Sequence, residues 1–230
     1  MTDHAFTLGD ALLHARPSGA LWWPALRLLA VGDLHLGRAQ RGALWGGAAL
    51  PPYEARETLD RLAAEVEALR PAVVVSLGDG FDDAAAAARL EDEALARLST
   101  LAAGRDWVWI AGNHDPGPAA LPGAWVAELR PSPGGPVFRH IAEADEDDPE
   151  VSAHWHPKAR IGGARRRCFL LDGRRLVLPA FGAFTGGLDV GSEPLTALMP
   201  EGLALLCGDA VRPAPLSGLR ARRPGRRHAR

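Results

Sequence analysis

The sequence predicts an α/β fold that forms one large domain. In the first half of the chain, short apolar stretches typical of buried strands alternate with longer stretches of helical periodicity. The second half instead contains several short apolar stretches with brief connections between them. At 230 residues the chain is long enough to bury one large core. No repeat or linker divides it, so we expect a single domain over residues 1–218 and a basic, disordered tail over 219–230.

Three strand-like and two helix-like stretches make up most of the first half. The strand-like stretches are short runs rich in leucine, valine and tryptophan, whereas the helix-like ones repeat apolar residues at helical spacing. Proline, glycine and aspartate residues mark their ends. In chain order we predict a hairpin over 12–23, a strand over 26–33, a helix over 54–69, a strand over 72–79, a helix over 82–104 and a strand over 107–115.

Four further stretches of the second half predict strands: "VFRH", "VSAHWH", "CFLLDGRRLVLPA" and "LALLCG". Asp172 and Gly173 predict a hairpin turn inside the third of these stretches. The segment 143–150 predicts an exposed acidic loop. The glycine-rich segment 181–187 either approaches a substrate closely or simply connects two elements.

Composition and charge narrow the class of protein. The chain is 47% hydrophobic and 23% charged, with a formal net charge of −2, as in ordinary globular proteins. Nothing approaches about 18 consecutive apolar residues, so we expect no membrane span. Two widely separated cysteines and an N-terminal segment without a signal-peptide pattern favour a cytoplasmic location. The net charge gives no support for a nucleic-acid partner.

Arginine supplies nearly all of the positive charge, because Lys158 is the only lysine. Arginine suits phosphate recognition through its planar fork, but a compositional bias of this alanine-rich chain explains the preference equally well. The arginines after residue 219 likewise fit either contact with a nucleic-acid backbone or a solubilising tail.

Residues with metal-binding side chains stand at the ends of the predicted strands. They are Asp33 and His35 after the first strand, Asp79 after the second, Asn113, His114 and Asp115 after the third, and His140, His154 and His156 in the second half. Ligands of α/β proteins gather at the carboxyl ends of strands, so we expect these side chains to converge. Histidines with purely structural roles would not concentrate at such positions.

The residue types predict a pair of divalent metal ions. Carboxylate oxygen and imidazole nitrogen suit borderline ions such as Mn²⁺, Fe²⁺ and Zn²⁺. Two ions about 3.5–4 Å apart, bridged by one carboxylate, are used for displacement at phosphorus. Only Asp33 and Asp79 would face two dications, which leaves a net charge of roughly +2 and favours an anionic substrate. We therefore expect a phosphate ester at this site.

The order of the motifs, DxH, GDxxD, GNHD, a single histidine and HxH, resembles the calcineurin-like metallophosphoesterase superfamily. The stretches "LWWPALRLLAVGDLHLGR", "HPKAR" and "RCFLLDGRRLVLPAFGAFTGGLDV" resemble one branch, the ligase-associated DNA damage response endonucleases. The resemblance implies a four-layer αββα sandwich with two mixed sheets. It also implies a two-metal endonuclease that hydrolyses single-stranded or damaged DNA in repair, with DNA ligase, helicase and nuclease proteins as partners.

The resemblance also implies roles for individual residues. One metal ion would be held by Asp33, His35, Asp79 and His156, and the second by Asp79 as bridge, Asn113, His140 and His154. Mn²⁺ is the expected metal, with Fe or Zn as alternatives. His114 would protonate the leaving oxygen or stabilise the charge that develops there. Asp115 would orient the His114 ring or cap a turn, and Arg38 would contact a substrate phosphate or remain a solvated surface residue.

Two positions depart from the expected pattern. Ala153 stands where the superfamily usually has a glycine before the paired histidines, and we expect only a local adjustment there. Asp82 stands where the endonuclease branch has a histidine, so we leave Asp82 out of the metal set. Two other functions remain as hypotheses: a phosphoesterase of small nucleotides or pyrophosphates, and a non-catalytic scaffold, which the complete ligand set argues against.

Overall fold

Two mixed β-sheets pack face to face, and helices cover both outer faces. The computed structural model describes residues 2–39, 51, 53–83, 85–115, 121–143 and 147–220. One cluster of buried side chains lies between the sheets, a second between the first sheet and its helices, and a third on the outer face of the second sheet. The expected αββα sandwich with two mixed sheets is therefore confirmed.

The first sheet contains the seven strands of the N-terminal half, side by side in chain order. They are β1 (His4–Leu8), β2 (Ala11–Ala15), β3 (Leu21–Trp23), β4 (Leu28–Gly32), β5 (Val73–Leu77), β6 (Asp106–Ile110) and β7 (Ala124–Val126). Strands β1 to β4 are antiparallel, whereas β4 to β7 are parallel. The carboxyl ends of β4, β5 and β6 consequently share one edge of the sheet.

The second sheet has the order β15-β14-β12-β13-β10-β9-β8, and β11 pairs with β12 outside this path. Its strands are β8 (Glu128–Leu129), β9 (Val137–Arg139), β10 (Glu150–Ser152), β11 (Lys158–Ile161), β12 (Ala164–Leu171), β13 (Arg175–Val177), β14 (Leu203–Leu206) and β15 (Arg212–Pro215). Strand β10 is parallel to both β9 and β13, and the other pairs are antiparallel. The second half is thus mainly antiparallel, as its short connections predict.

Five helices and one 3₁₀ turn (Pro24–Leu26) lie wholly within the described part of the chain. The helices are α1 (Glu54–Leu69), α2 (Ala86–Arg89), α3 (Asp92–Ala102), α4 (Glu193–Leu198) and α5 (Leu216–Arg220). None of them combines the length and apolar character that a membrane span requires. Both cysteines are buried and unpaired, as their spacing predicts.

Alternating side chains in the central strands build two of the hydrophobic layers. In β4, Leu28 and Ala30 point into the space between the sheets, while Leu29 and Val31 pack against the helices. This period of two is the side-chain period of a strand. Because both faces are covered, the strand is apolar throughout, which is why its sequence lacks polar alternation.

The predicted helix over 82–104 is wrong in its extent. The chain forms two helices, α2 and α3, because Leu90 and Glu91 between them have extended backbone conformations. Leu90 is buried in the layer between the first sheet and its helices. At the C-terminus, α5 continues through Leu219 and Arg220, two residues beyond the boundary placed at 218, and residues 221–230 lie outside the described residues.

Candidate metal centre

The predicted metal ligands come together at the edge where the parallel strands of the first sheet end. Asp33 directly follows β4, and Asp79 and Asn113 follow β5 and β6. The second sheet supplies the three histidines that follow β9 and β10: His140, His154 and His156. Each sheet therefore contributes one part of the site, and the packing of the two sheets assembles it.

Half-site 1 consists of Asp33, His35 and His156, whose ligand atoms all lie within 4.8 Å of one another. The Nε2 atoms of His35 and His156 are 3.4 Å apart, and Nε2 of His156 is 3.2 Å from Oδ1 of Asp33. Asp33 and His35 are buried, whereas His156 is half-buried. One oxygen and two nitrogen ligand atoms thus face the same point.

Half-site 2 consists of Asp79, His140 and His154, with ligand atoms again within 4.8 Å of one another. Nε2 of His140 is 3.2 Å from Nδ1 of His154 and 3.4 Å from Oδ2 of Asp79. Asn113 joins this group, because its Oδ1 lies 3.1 Å from the same Nε2 atom. The structure therefore brings all seven predicted metal ligands together in two adjacent groups.

Asp79 lies between the two half-sites. Its Oδ2 atom is 3.4 Å from Nε2 of His140 and 4.0 Å from Nε2 of His35. Its Oδ1 atom accepts a hydrogen bond of 2.9 Å from the backbone N–H of His114. Burial would raise the pKa of this carboxyl, but His140, the His114 amide and His35 outweigh burial and lower the pKa to about 2. The group is thus an anion at neutral pH, as a bridging ligand must be.

The donor atoms fit divalent cations. Nδ1 of His140 donates a hydrogen bond of 3.2 Å to the carbonyl oxygen of Leu77, so Nε2 is the ring atom that faces the site. Around this Nε2 atom lie the oxygens of Asp79 and Asn113 and the Nδ1 atom of His154. Burial would lower the pKa of His140, but the carboxylates of Asp79 and Asp33 raise it, so this cluster attracts a cation, either a proton or a metal ion. Both half-sites are therefore suited to hold divalent metal ions.

Five ligand residues adopt left-handed backbone conformations. The φ angles are 49° at Asp33, 46° at His35, 44° at Asp79, 66° at His154 and 46° at His156. Such conformations cost free energy in non-glycine residues and concentrate at functional sites. They turn each side chain towards the metal centre directly after its strand ends.

The histidine pair is not part of a strand, contrary to the prediction for "VSAHWH". Strand β10 ends at Ser152, and the following chain turns sharply, with the Trp155 amide donating to the Ala153 carbonyl. The positive φ angles at His154 and His156 send the two imidazoles into different half-sites. In an extended strand the alternate side chains would share one face.

Small residues make room for the ligands. A side chain at Gly78 would overlap the ring of His140, and one at Gly112 would overlap the backbone of Asp79. Ala153 is accommodated because Gly32 opposite it has no side chain; a Cβ there would lie 2.8 Å from that of Ala153. Gly32 therefore makes room for the methyl group of Ala153.

His114 lies beside half-site 1 and is not in either ligand group. Its ring is edge-on to the ring of His35, with 5.6 Å between the ring centroids. Its Nδ1 atom is 3.1 Å from the backbone carbonyl oxygen of Asp82, which orients the imidazole. A donor at Nδ1 leaves Nε2 available for proton transfer.

Asp115 contacts backbone amides instead of the His114 ring. Its Oδ2 atom accepts a 2.8 Å hydrogen bond from the Gly112 amide, and Oδ1 accepts one of 3.1 Å from the Phe81 amide. Burial raises the pKa of its carboxyl. This geometry supports turn capping, the second of the two roles considered for Asp115, because the carboxylate ties the "GNHD" turn to the "GDGFD" turn.

Asp82, which the sequence reasoning left out of the metal set, lies directly behind a ligand of half-site 1. It is buried, and its Oδ1 atom lies 3.3 Å from Nδ1 of His35, outside the angle of a regular hydrogen bond. The same oxygen is 4.0 Å from Nε of Arg38, whose side chain is 32% exposed. Asp82 therefore links the ligand His35 to the cation Arg38. The second aspartate of "GDGFD" was the available sequence signal.

A family pattern and a similar solved structure agree with this geometry. The sequence pattern described as calcineurin-like phosphoesterase matches residues 26–190. The crystal structure of the nuclease MPE from Pseudomonas putida is similar, with a TM-score of 0.72 and 28% sequence identity over 93% of this chain and 100% of that chain. A comparison with curated proteins gives no significant match. Since the matched pattern spans well over half of the sequence, the chain belongs to the calcineurin-like phosphoesterase family.

Proposed function

We propose that the protein is a two-metal-dependent phosphodiesterase that cleaves DNA, acting as an endonuclease in repair. The observation that carries the proposal is the position of Asp79. One of its carboxylate oxygens lies within 4.0 Å of ligand atoms in both half-sites. A carboxylate shared in this way is the arrangement of a two-metal centre for displacement at phosphorus.

The charge of the ligand set favours an anionic substrate. Asp33 and Asp79 are the two carboxylates among the seven ligands, so two bound dications would keep a net charge of roughly +2. When bound, the ions would activate water and neutralise charge on the phosphoryl oxygens. We propose Mn²⁺ as the native ion, with Fe or Zn as alternatives, because oxygen and nitrogen ligands suit all three.

His114 is the residue that we propose for leaving-group protonation. Its Nδ1 atom contacts the Asp82 carbonyl oxygen, so the opposite edge of the ring is free to carry the transferred proton. Its backbone amide also binds Asp79, which fixes the ring at a constant position relative to the shared carboxylate. One residue thus couples the bridging ligand to the proton donor.

Nucleic acid is the substrate class that the structural relative supports. The similar protein from Pseudomonas putida is described as a nuclease, and the likeness extends over 93% of this chain. The choice of DNA, in single-stranded or damaged form, rests on the branch-level resemblance in residues 20–207. The same resemblance motivates our proposal of repair ligases, helicases and nucleases as partners.

Cleavage assays with three substrates test this proposal. We expect the protein with Mn²⁺ to cut a single-stranded oligonucleotide at internal positions, to hydrolyse bis-(p-nitrophenyl) phosphate, and to leave free nucleotides and pyrophosphate compounds intact. EDTA should abolish both activities. Hydrolysis of nucleotides or pyrophosphates alone would replace DNA by a small-molecule substrate. Absence of hydrolysis with every divalent ion would identify a non-catalytic scaffold.

A further inference from the structure

Strands β11 and β12 form a hairpin that carries four cationic side chains on one face. The register places Lys158 opposite Arg167 and Arg160 opposite Arg165. Because side chains alternate along each strand, all four lie on the same side of the hairpin. Like charges directly opposite one another destabilise an antiparallel pair. We name this surface, Lys158, Arg160, Arg165 and Arg167, the cationic face.

Few carboxylates neutralise the cationic face. Arg160 is 67% exposed and lies 3.5 Å from Oδ2 of Asp189. Within the described ranges, no carboxylate lies within ion-pair distance of Lys158, Arg165 or Arg167. The uncompensated positive charge is therefore available to an external anion.

Backbone carbonyl groups orient the cationic side chains without neutralising them. Nζ of Lys158 donates to the carbonyl oxygen of Thr185 at 2.7 Å, and Nη2 of Arg165 donates to that of Gly187 at 2.7 Å. Each interaction uses one donor of a side chain that has several, so further donors remain for a ligand. The carbonyl oxygens hold the cations in place and leave their charge intact.

The cationic face adjoins half-site 1. Lys158 is two residues from His156, and Gly187 packs so closely on the backbone of His156 that a Cβ would overlap it. The hairpin therefore places its positive charge directly beside a ligand of half-site 1.

On the opposite side of the site, beside half-site 2, carboxylates neutralise the positive charge. A groove of about 450 Å³ beside Asn113 and His140 is lined by Glu128, Arg139 and Glu143. The buried Arg139 guanidinium is matched by the two glutamates, at 3.1 Å and 2.7 Å. This rim therefore offers no excess positive charge to a polyanion, whereas the cationic face does.

We propose that the cationic face binds the phosphate groups of a nucleic-acid strand next to the bond that is cut. This inference rests on the proposed function and adds the side from which the strand enters: across half-site 1, away from the groove beside half-site 2. The hairpin places cationic side chains at alternate positions of two neighbouring strands, so more than one phosphate group of a nucleic-acid strand can be neutralised there.

A charge-reversal pair with a matched control tests the proposal. The test variant is Arg160→Glu/Arg165→Glu, and the control is Arg27→Glu/Arg70→Glu, which changes the net charge equally. Arg27 and Arg70 are exposed and lie at the opposite end of the parallel strands, where β4 begins and α1 ends. Anisotropy of a fluorescein-labelled single-stranded oligodeoxynucleotide in EDTA measures binding without cleavage.

We expect the test variant to weaken binding at least about tenfold at low salt and to reduce the slope of log K against log[salt] by roughly 1.4, the value for two phosphate contacts. The variant Arg160→Gln/Arg165→Gln removes the same two contacts, so it should reduce the slope by a similar amount with a smaller loss of affinity, and the control should change little. Equal losses in test and control would overturn the proposal, because net charge alone would then explain binding. An unchanged salt slope in a folded test variant would also overturn it.

Hydrolysis measured separately distinguishes this inference from the proposed function. With Mn²⁺ present, kcat/KM for the oligonucleotide should fall at least about tenfold more than kcat/KM for bis-(p-nitrophenyl) phosphate. An equal fall for both substrates would assign the hairpin a structural role in holding His156 and would overturn the proposal. A wild-type protein that binds DNA through the cationic face but hydrolyses no phosphodiester would contradict only the proposed function.

Discussion

The two half-sites present similar sets of ligand atoms in different surroundings. Half-site 1 contains the carboxylate of Asp33, and a second carboxylate, that of Asp82, lies 3.3 Å behind His35. Half-site 2 contains the carboxylate of Asp79 and an amide ligand, Asn113. Behind His140, the Nδ1 atom donates to the neutral carbonyl of Leu77, and Oδ1 of Asp33 is farther away, at 3.8 Å. Because carboxylates attract cations more strongly than amides or carbonyl groups do, half-site 1 should hold its ion more tightly.

Burial differs at one ligand alone. Each triad has two buried ligands and one half-buried histidine, whereas Asn113, the additional ligand of half-site 2, is exposed. Burial and the neighbouring His140 lower the pKa of His154, which keeps its ring neutral and able to ligate. Two triads built at one sheet edge can thus differ in affinity through the residues that lie behind and around the ligands. The predictions below test this comparison.

Replacement of Asp79, the ligand shared by both half-sites, should disable both and so remove the difference in their metal affinities. We expect Asp79→Asn to lower hydrolysis of every substrate by about 10³-fold or more, because a bridged metal pair contributes several kcal/mol to catalysis. Metal analysis together with steady-state kinetics checks this. Asp82→Asn is the matched control, since it removes a nearby carboxylate that is not a ligand and should retain measurable activity. Full activity of Asp79→Asn would contradict the bridging role.

His114→Ala should leave both half-sites intact and slow the chemical step. We expect metal content to persist and DNA cleavage to fall by about 10²–10⁴-fold, the usual range for general acid catalysis. A nitrophenolate leaving group is a weak base, so hydrolysis of bis-(p-nitrophenyl) phosphate should fall much less. Equal losses for the two substrates would assign His114 to stabilising charge on the phosphoryl oxygens. Loss of metal would place it among the ligands.

Single-ligand variants should separate the half-sites by affinity. His156→Ala removes a ligand from half-site 1, and His154→Ala removes one from half-site 2. We expect the tighter of two metal-binding steps to weaken by about 10–100-fold in the first variant and to change little in the second. Isothermal titration of the metal-free protein with Mn²⁺ measures both steps. If His154→Ala weakens the tighter step instead, the order of affinities is reversed.

The smallest effect concerns Glu54, a buried carboxyl on the side of Asp82 and half-site 1. Burial raises the pKa of the Glu54 carboxyl, and the negative charge of Asp82 adds to this effect, so that the pKa is about 7. The pKa of Glu54 is thus higher in the folded state than in the unfolded state. The contribution of this carboxyl to stability is therefore greatest below the pKa of the unfolded state and is lost as pH rises through about 7. Glu54→Gln should therefore stabilise the protein at pH 8 by about 1–2 kcal/mol, and the gain should vanish near pH 5.

Thermal or urea unfolding across this pH range measures the Glu54 effect. Glu67, an exposed residue of the same helix, provides the control Glu67→Gln, which should show no such dependence. A gain that is the same at pH 5 and pH 8 would mean that the Glu54 carboxyl is not the titrating group.

Local sequence patterns predicted the central strands of the first sheet, the first long helix and the residue types of the metal centre. Apolar runs with turn residues located β4, β5 and β6, and helical spacing before Pro71 located α1 over Glu54–Leu69. The polar residues after these strands were recognisable because the carboxyl ends of parallel strands share one edge. These features depend on short stretches of chain, so they can be inferred without knowledge of the packing.

Only the tertiary structure decided where each side chain points. The left-handed conformations at His154 and His156 divide a histidine pair between two half-sites, and the capping of two turns by Asp115 depends on amides from separate loops. The contact of Asp82 with His35 likewise joins residues from different loops. Such backbone conformations cost local free energy and persist because the packing of both sheets compensates for it, which the sequence of any one segment does not reveal.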